Sequence, residues 1–220
     1  MTTLTRDDTG TPAGVSHEPV VALKRRTIDS VLIAFGAVLT VALVVAASLL
    51  TWGSNFANDY VGDELSSQNI SFPDAATLEG QGRADLVKHA DAKVDTGTEA
   101  EAYASFINGH LQGIADGKTY ADMGTPERAA NAAVTDAKAN GASEATIAEL
   151  QGKADAITAQ RNTLFKGETL RGLLLTAYAW DTVCRIAGYA AIAAFAAAAV
   201  MLVLVLFGLR HHHKVVVQTS

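Results

Sequence analysis

The sequence predicts an all-α fold: two transmembrane helices joined by an Ala-rich extracytoplasmic helical bundle on a helical stalk. Three observations predict it. Residues 30–52, SVLIAFGAVLTVALVVAASLLTW, and residues 186–209, IAGYAAIAAFAAAAVMLVLVLFGL, carry no charge. Each exceeds the ~20 residues that cross ~30 Å of hydrocarbon. The segment between them is rich in alanine, with glycine and proline placed as helix punctuation. The mean hydropathy is +0.18 although 18% of residues are charged, so apolar side chains are concentrated in the two runs. In a chain of 220 residues, no soluble core is large enough to hide two helices that are apolar all round.

The expected boundaries follow in chain order. Residues 1–28 form a polar cytoplasmic tail without periodicity, and residues 29–52 the first span. A cleaved signal peptide is the alternative for this run, with VAAS near Ser48 as a cleavage site. Its apolar core is longer than the ~7–15 residues of a signal peptide. Position 2 is not glycine and no lipid-attachment cysteine stands near the start. The helix is expected to continue past Trp52, with Phe56, Tyr60, Val61 and Leu65 at helical spacing, until SFPDAATLEGQGR breaks it.

Residues 53–185 form the extracytoplasmic domain. Thr98 and Glu101 have capping-box spacing. The helix after them repeats an apolar face at Tyr103, Phe106, Ile107, His110, Leu111 and Ile114. DGKTYADMGTP is a turn region, and Thr125 and Pro126 open the next helix, which ends before Gly141. Ser143 opens another, with a heptad stripe at Ile147, Leu150, Ala154, Ile157, Arg161 and Leu164. Residues 125–166 therefore read as an antiparallel hairpin. A last helix is expected from about Glu168, with Leu170, Leu173, Leu174, Ala177 and Tyr178 on one face. From there to Leu209 it would be about 63 Å long, twice the hydrocarbon thickness, so its first half stands outside lipid. Asp181 and Arg185 have ion-pair spacing. Residues 186–209 are the second span and residues 210–220 the second cytoplasmic tail.

Charge sets the expected orientation. Lys24, Arg25 and Arg26 precede the first span, and Arg210 and Lys214 follow the second. Lys and Arg stay on the cytoplasmic side, so both termini are expected there, in a plasma membrane. The segment 53–185 has 19 acidic against 11 basic residues, a net of −8. The run RHHHK then reads as a headgroup anchor, its cations contributing ~1 kcal/mol each near anionic lipid. Metal chelation and pH sensing are the alternatives for the histidines; a purification tag is not, because KVVVQTS follows only three. Trp52, Tyr178 and Trp180 are expected near the outer interface, where amphipathic rings settle.

Within the spans, small residues recur at four-residue spacing: Gly36 and Thr40 in the first, and Ala187 and Ala191, Ala190 and Ala194, and Ala194 and Ala198 in the second. Such spacing permits close helix packing in lipid. Alanine enrichment by genome composition is the alternative. Either way the spans are expected to pack as a hairpin, within one chain or between copies.

GETLRGLLLTAYAWDTVCRIAGYAAIAAF, together with GKTYADM, resembles a group of uncharacterised actinobacterial two-span membrane proteins. The resemblance covers the spans and the loop between them and implies membrane architecture. Proteins of that group are often labelled aromatic ring-opening dioxygenase, which implies a soluble non-haem iron enzyme. Such an enzyme needs two histidines and a carboxylate around iron. Between the spans stand only His89 and His110. Asp85 and His89 are four apart, as on one helical turn, and a solvated helix face is the simpler account of them; His110 lies in an apolar stripe and is expected packed or half-buried.

The sequence has no nucleophile elbow, P-loop, HExxH or CxxC. Cys184 is the only cysteine and makes no disulfide within the chain. Asn69 stands in an N-glycosylation sequon, NIS, of use only in a host that glycosylates. The acidic balance argues against nucleic acid, and the absence of charged residues inside the two apolar runs argues against transport. The expectation is a non-enzymatic membrane protein without catalytic, metal or cofactor residues. It would present its external helical domain to a membrane-protein partner or to another copy of itself, as an accessory subunit of a cell-envelope complex. The alternative is an extracytoplasmic sensor or ligand-binding module. With a C-terminal tail of 11 residues, it would signal through a partner. A metal-dependent enzyme comes last.

Overall fold

The structure is a computed structural model that describes the backbone of residues 25–217 and the side chains of residues 27–211. Lys24, the side chains of Arg25, Arg26 and Lys214, and the tail 1–23 lie outside the described residues. Most of the described residues are helical, and they contain no strand, so the all-α class holds. The elements in order are α1 (Arg25–Ser67), α2 (Ala75–Gly80), a 3-10 segment (Ala84–His89), α3 (Gly97–Gln112), a 3-10 turn (Ala115–Gly117), α4 (Gly124–Ala139) and α5 (Glu144–Val217).

The chain divides into two units. One consists of Met1–Ala42 with Ala197–Ser220; the other is Leu43–Ala196. In the first, α1 and α5 run antiparallel. A Cβ on Gly36 would sit 2.9 Å from Val205 Cγ2, and one on Gly208 would sit 3.0 Å from Ile33 Cγ1. As the number rises on one helix it falls on the other. Glycine lets the two backbones approach where any side chain would hold them apart.

The second unit contains the domain core. Helix α1 ends at Ser67, and Asn69 takes a left-handed φ of 51° to turn the chain, a conformation asparagine tolerates. Asp74 caps α2 by accepting a hydrogen bond from Thr77 N at 2.8 Å. Gly82, at φ 71°, closes the helix in a Schellman turn, with Arg83 N donating to Leu78 O and Gly82 N to Glu79 O. Phe72 N donates to Ala92 O and Val94 N to Ile70 O around the isolated bridge between Ser71 and Lys93. This clasp buries Phe72 and Val94 with Leu78, Leu86, Ala100, Ala104 and Phe106. Leu65 of α1 and Leu174 of α5 complete the cluster.

The capping box of α3 is made by Thr96 and Glu99, not by Thr98 and Glu101. Thr96 is extended (φ −123°, ψ 159°) and its Oγ accepts from Glu99 N, while Glu99 Oε2 accepts from Thr96 N. Starting two residues earlier puts Gly97 in the first turn. Its missing side chain lets that turn lie on Asp181, whose Oδ2 would be 2.8 Å from a Cβ there.

Helices α4 and α5 form the expected hairpin. Gly141 (φ 66°) closes α4, with Ala142 N donating to Ala137 O, and Ser143 Oγ accepts from Thr146 N as α5 begins. Helix α4 begins at Gly124, one residue before the expected Thr125. The heptad stripe on α5 faces inward. Ala154 and Leu164 are each 2% exposed, and Ile147, Leu150, Ile157 and Arg161 are half-buried. Leu164 joins Leu111, Ala115 and Met123 in a second apolar cluster. The expected new helix near Glu168 does not exist: α5 is unbroken from Glu144 to Val217. Gly167 is not a stop but a point of close approach. A Cβ there would overlap Leu111 Cδ2 and lie 3.0 Å from Cδ1.

Candidate functional site

Each charge-free run carries its apolar side chains outward. Val31, Phe35, Val38, Leu49 and Trp52 of α1, and Ile186, Ile192, Val200 and Phe207 of α5, are all at least 60% exposed. In the most apolar 18-residue window of each helix only 17% is buried. A core helix of a soluble protein buries its apolar side chains; these two are candidate membrane spans.

The inward side of the pair is a seven-residue repeat of small residues. On α5, Cys184, Ala191 and Ala198 are buried, and Val205 continues the series. Ala187, Ala194, Met201 and Gly208 form the accompanying half-buried series. On α1, Gly36 and Thr40 are buried, as is Ala47. Within each unit this period keeps the small residues on the side of the partner helix, as in left-handed coiled coils. Thr40 Oγ donates to Gly36 O at 2.7 Å, so no hydroxyl is left unpaired in the seam. Of the small residues singled out by four-residue spacing, Ala190 faces outward. Gly188, Gly208, Ser54 and Ala47 were missed. A count at seven rather than four would have found Ala47, seven beyond Thr40, and Gly208, seven beyond Met201.

In the second unit, Ser54 Oγ donates to Cys184 O at 2.7 Å, and a Cβ on Gly188 would be 3.4 Å from Ser54 Oγ. This register sets Trp52 level with Tyr189. Trp52 stacks on Phe56, ring centroids 5.7 Å apart, and Tyr189 is 71% exposed. Trp180 is exposed, but nine residues from Tyr189 on the same helix is about 13 Å. Tyr178 is half-buried beside it, and Arg210 is exposed. The aromatic residues thus occupy two levels, and sequence reading missed Tyr189.

Between those levels lies the pair Asp181 and Arg185, joined at 3.2 Å from Nη2 to Oδ2. Asp181 is 7% exposed. Its carboxylate lies against Gly97 in the first turn of α3, where unpaired helix N–H groups favour negative charge.

In the domain, Asp85 and His89 do not share a face. The segment Ala84–His89 is 3-10 rather than α, so side chains three apart, not four, eclipse. Asp85 is clamped by Arg83 at 2.8 and 3.0 Å, which holds its carboxyl below the usual aspartate range. His89 stacks on Phe72 at 5.2 Å, and His110, on the surface, sets its ring edge against Phe106 at 4.5 Å. Both rings serve packing, and among the described residues no three His, Cys, Asp or Glu side chains group to hold a metal.

Two carboxylates of α3's cap share a contact. Burial raises the Glu99 carboxyl, but hydrogen bonds from Thr96 and Asp95 outweigh it and hold it low; the bond to Glu99 pushes Asp95 upward. A half-buried clip joins the hairpin: Arg161 pairs with Glu127, lies over the Tyr120 ring at 4.2 Å and donates to Tyr120 O.

One side of α5 in this unit remains uncovered. Phe165, Leu173, Trp180 and Val183 are each more than half exposed, the last three about 100° round the helix from the buried Leu174, Asp181 and Cys184 that follow them. No family model, curated protein or solved structure matches the chain.

Proposed function

We propose that the chain is a non-enzymatic two-span protein of the plasma membrane that presents its central helical domain to another membrane protein. Residues 29–52 and 186–209 cross the bilayer, both termini lie in the cytoplasm, and residues 53–185 form an extracytoplasmic bundle on a stalk of α1 and α5. The similarity to two-span actinobacterial proteins is read as shared architecture, without dioxygenase chemistry. The lipid part of this reading is supported by the outward apolar faces of both charge-free runs. Its orientation is supported by the basic residues at their ends and the acidic segment between them.

The observation that carries the interaction is the uncovered side of α5. Leu173 and Trp180 stand in a stretch from Gly172 to Trp180 that has no charge, yet lies outside the charge-free span. Exposed aromatic and aliphatic anchors of this kind mark protein contacts. The test is affinity purification of the full chain in mild detergent, beside a Leu173→Ala/Trp180→Ala variant. A stoichiometric partner that the variant loses is the expected result. A wild-type chain that purifies alone and monomeric, or a partner retained equally by the variant, would refute the reading.

A further inference from the structure

A groove of about 330 Å³ lies between α1 and α5 at the end of the second charge-free run, within the ~300–1,000 Å³ of small-ligand clefts. Its lining changes character along the helix axis. At one end are Arg185, the last charged residue before the run, and Asn55. Ser54 and Gly188 form its middle, and Ile192, 67% exposed, lies at the other end beside Tyr189. Arg185 commits Nη2 to Asp181 and Thr182; its Nε and Nη1 have no partner among the described residues. Gly188 keeps the middle of the groove open, since any side chain there would project beside Ser54.

We propose that this groove binds one glycerophospholipid, with its phosphodiester on Arg185 and Asn55 and an acyl chain along Gly188 and Ile192. The proposal rests on the reading that residues 186–209 cross a bilayer. A fixed cation at one end and an apolar floor at the other match a molecule with an anionic head and a hydrocarbon tail. A guanidinium fork suits phosphate oxygens, and Tyr189 sits at the level where amphipathic rings settle among headgroups. The groove runs along the helix pair, so a lipid would lie in its ordinary bilayer orientation. Asp181 keeps Arg185 in place from the domain side, leaving the free N–H groups for the ligand.

The test uses the full chain in mild detergent, titrated with dioleoylphosphatidylglycerol, dioleoylglycerol or inorganic phosphate, with bound molecules counted by native mass spectrometry. Phosphatidylglycerol is expected to bind about tenfold more tightly than dioleoylglycerol, the worth of one or two charge-assisted hydrogen bonds. Asn55→Ala and Arg185→Lys should each remove most of that preference while leaving the melting temperature unchanged. The second keeps the ion pair with Asp181, so it separates loss of the fork from loss of the fold. Equal retention of the two lipids, or a preference that both variants keep, would overturn the proposal. Inorganic phosphate that displaces the phospholipid at equal concentration would also overturn it, because the site would then need no acyl chain. Carbonate extraction of the same membranes separates the two readings. A chain that stays in the membrane without headgroup preference loses only the lipid site; one that washes off loses the span as well.

Discussion

Glycine to alanine along α5 should change sign with position. Gly152 and Gly172 have nothing within 4 Å of a built Cβ, whereas Gly167 meets Leu111, with Cδ1 at 3.0 Å, Cγ at 3.1 Å and Cδ2 in overlap. In an open helical site alanine gains about 0.8 kcal/mol over glycine through backbone entropy. At Gly167 the same gain is opposed by overpacking. Leu111 is 7% exposed and wedged among Ala115, Met123 and Leu164, so it has little room to retreat, and about 2 kcal/mol is a fair cost. The net is a loss of about 1 kcal/mol at Gly167 against a gain of about 0.8 at the open sites. The separation of nearly 2 kcal/mol corresponds to about 4–8 °C in Tm for a chain of this size. Thermal melts of the full chain in detergent, followed by circular dichroism, read it directly. Gly167→Ala melting with Gly152→Ala would refute the claim that Gly167 is a packing contact and return it to the helix stop that its sequence suggests.

Other outcomes follow from the same geometry. Arg161→Ala should cost about 2–3 kcal/mol in urea unfolding, because it strands the half-buried Glu127 and removes the cation from the Tyr120 ring; a cost under half a kcal/mol would mean that the hairpin clip is ornamental. Asp74, Asp85 and Asp122 have folded pKa values lowered below 3.8, by the Thr77 N–H, the Arg83 guanidinium and the Thr119 N–H respectively. A depressed carboxyl stabilises the fold above its unfolded pKa and loses that contribution as pH falls through the folded one. The urea midpoint should therefore be level from neutrality to about pH 5 and drop below about pH 4; a midpoint that rises on acidification would contradict the assignment. For topology, alkaline phosphatase fused within residues 100–150 should be active and a fusion after Lys214 inactive. In a glycosylating membrane system Asn69, exposed in its turn, should carry one glycan that Asn69→Gln abolishes; the reverse pattern would invert the orientation.

The long-range order of the chain was legible because it rests on strong local signals. Charge-free runs, Gly141 and Ser143 at the hairpin, and the stripe through Ala154 and Leu164 each specify their place without knowledge of partners. What was not legible depends on contacts distant in sequence. Gly167 reads as punctuation until Leu111 is set against it. Thr98 and Glu101 have the right spacing for a cap, but Thr96 wins because Gly97 then meets Asp181. The Asp85 and His89 pair assumed a 3.6-residue turn where the backbone is 3-10. Small residues at four-residue spacing picked Ala190, which faces out, because the seam repeats at seven.

The central claim is that two charge-free helical runs lie in lipid rather than in a protein interior. Extraction of native membranes with alkaline carbonate tests it most directly, because that treatment strips peripheral proteins and leaves spanning ones. The account predicts the full chain in the pellet, released only by detergent. Recovery of the intact chain in the carbonate supernatant would contradict it.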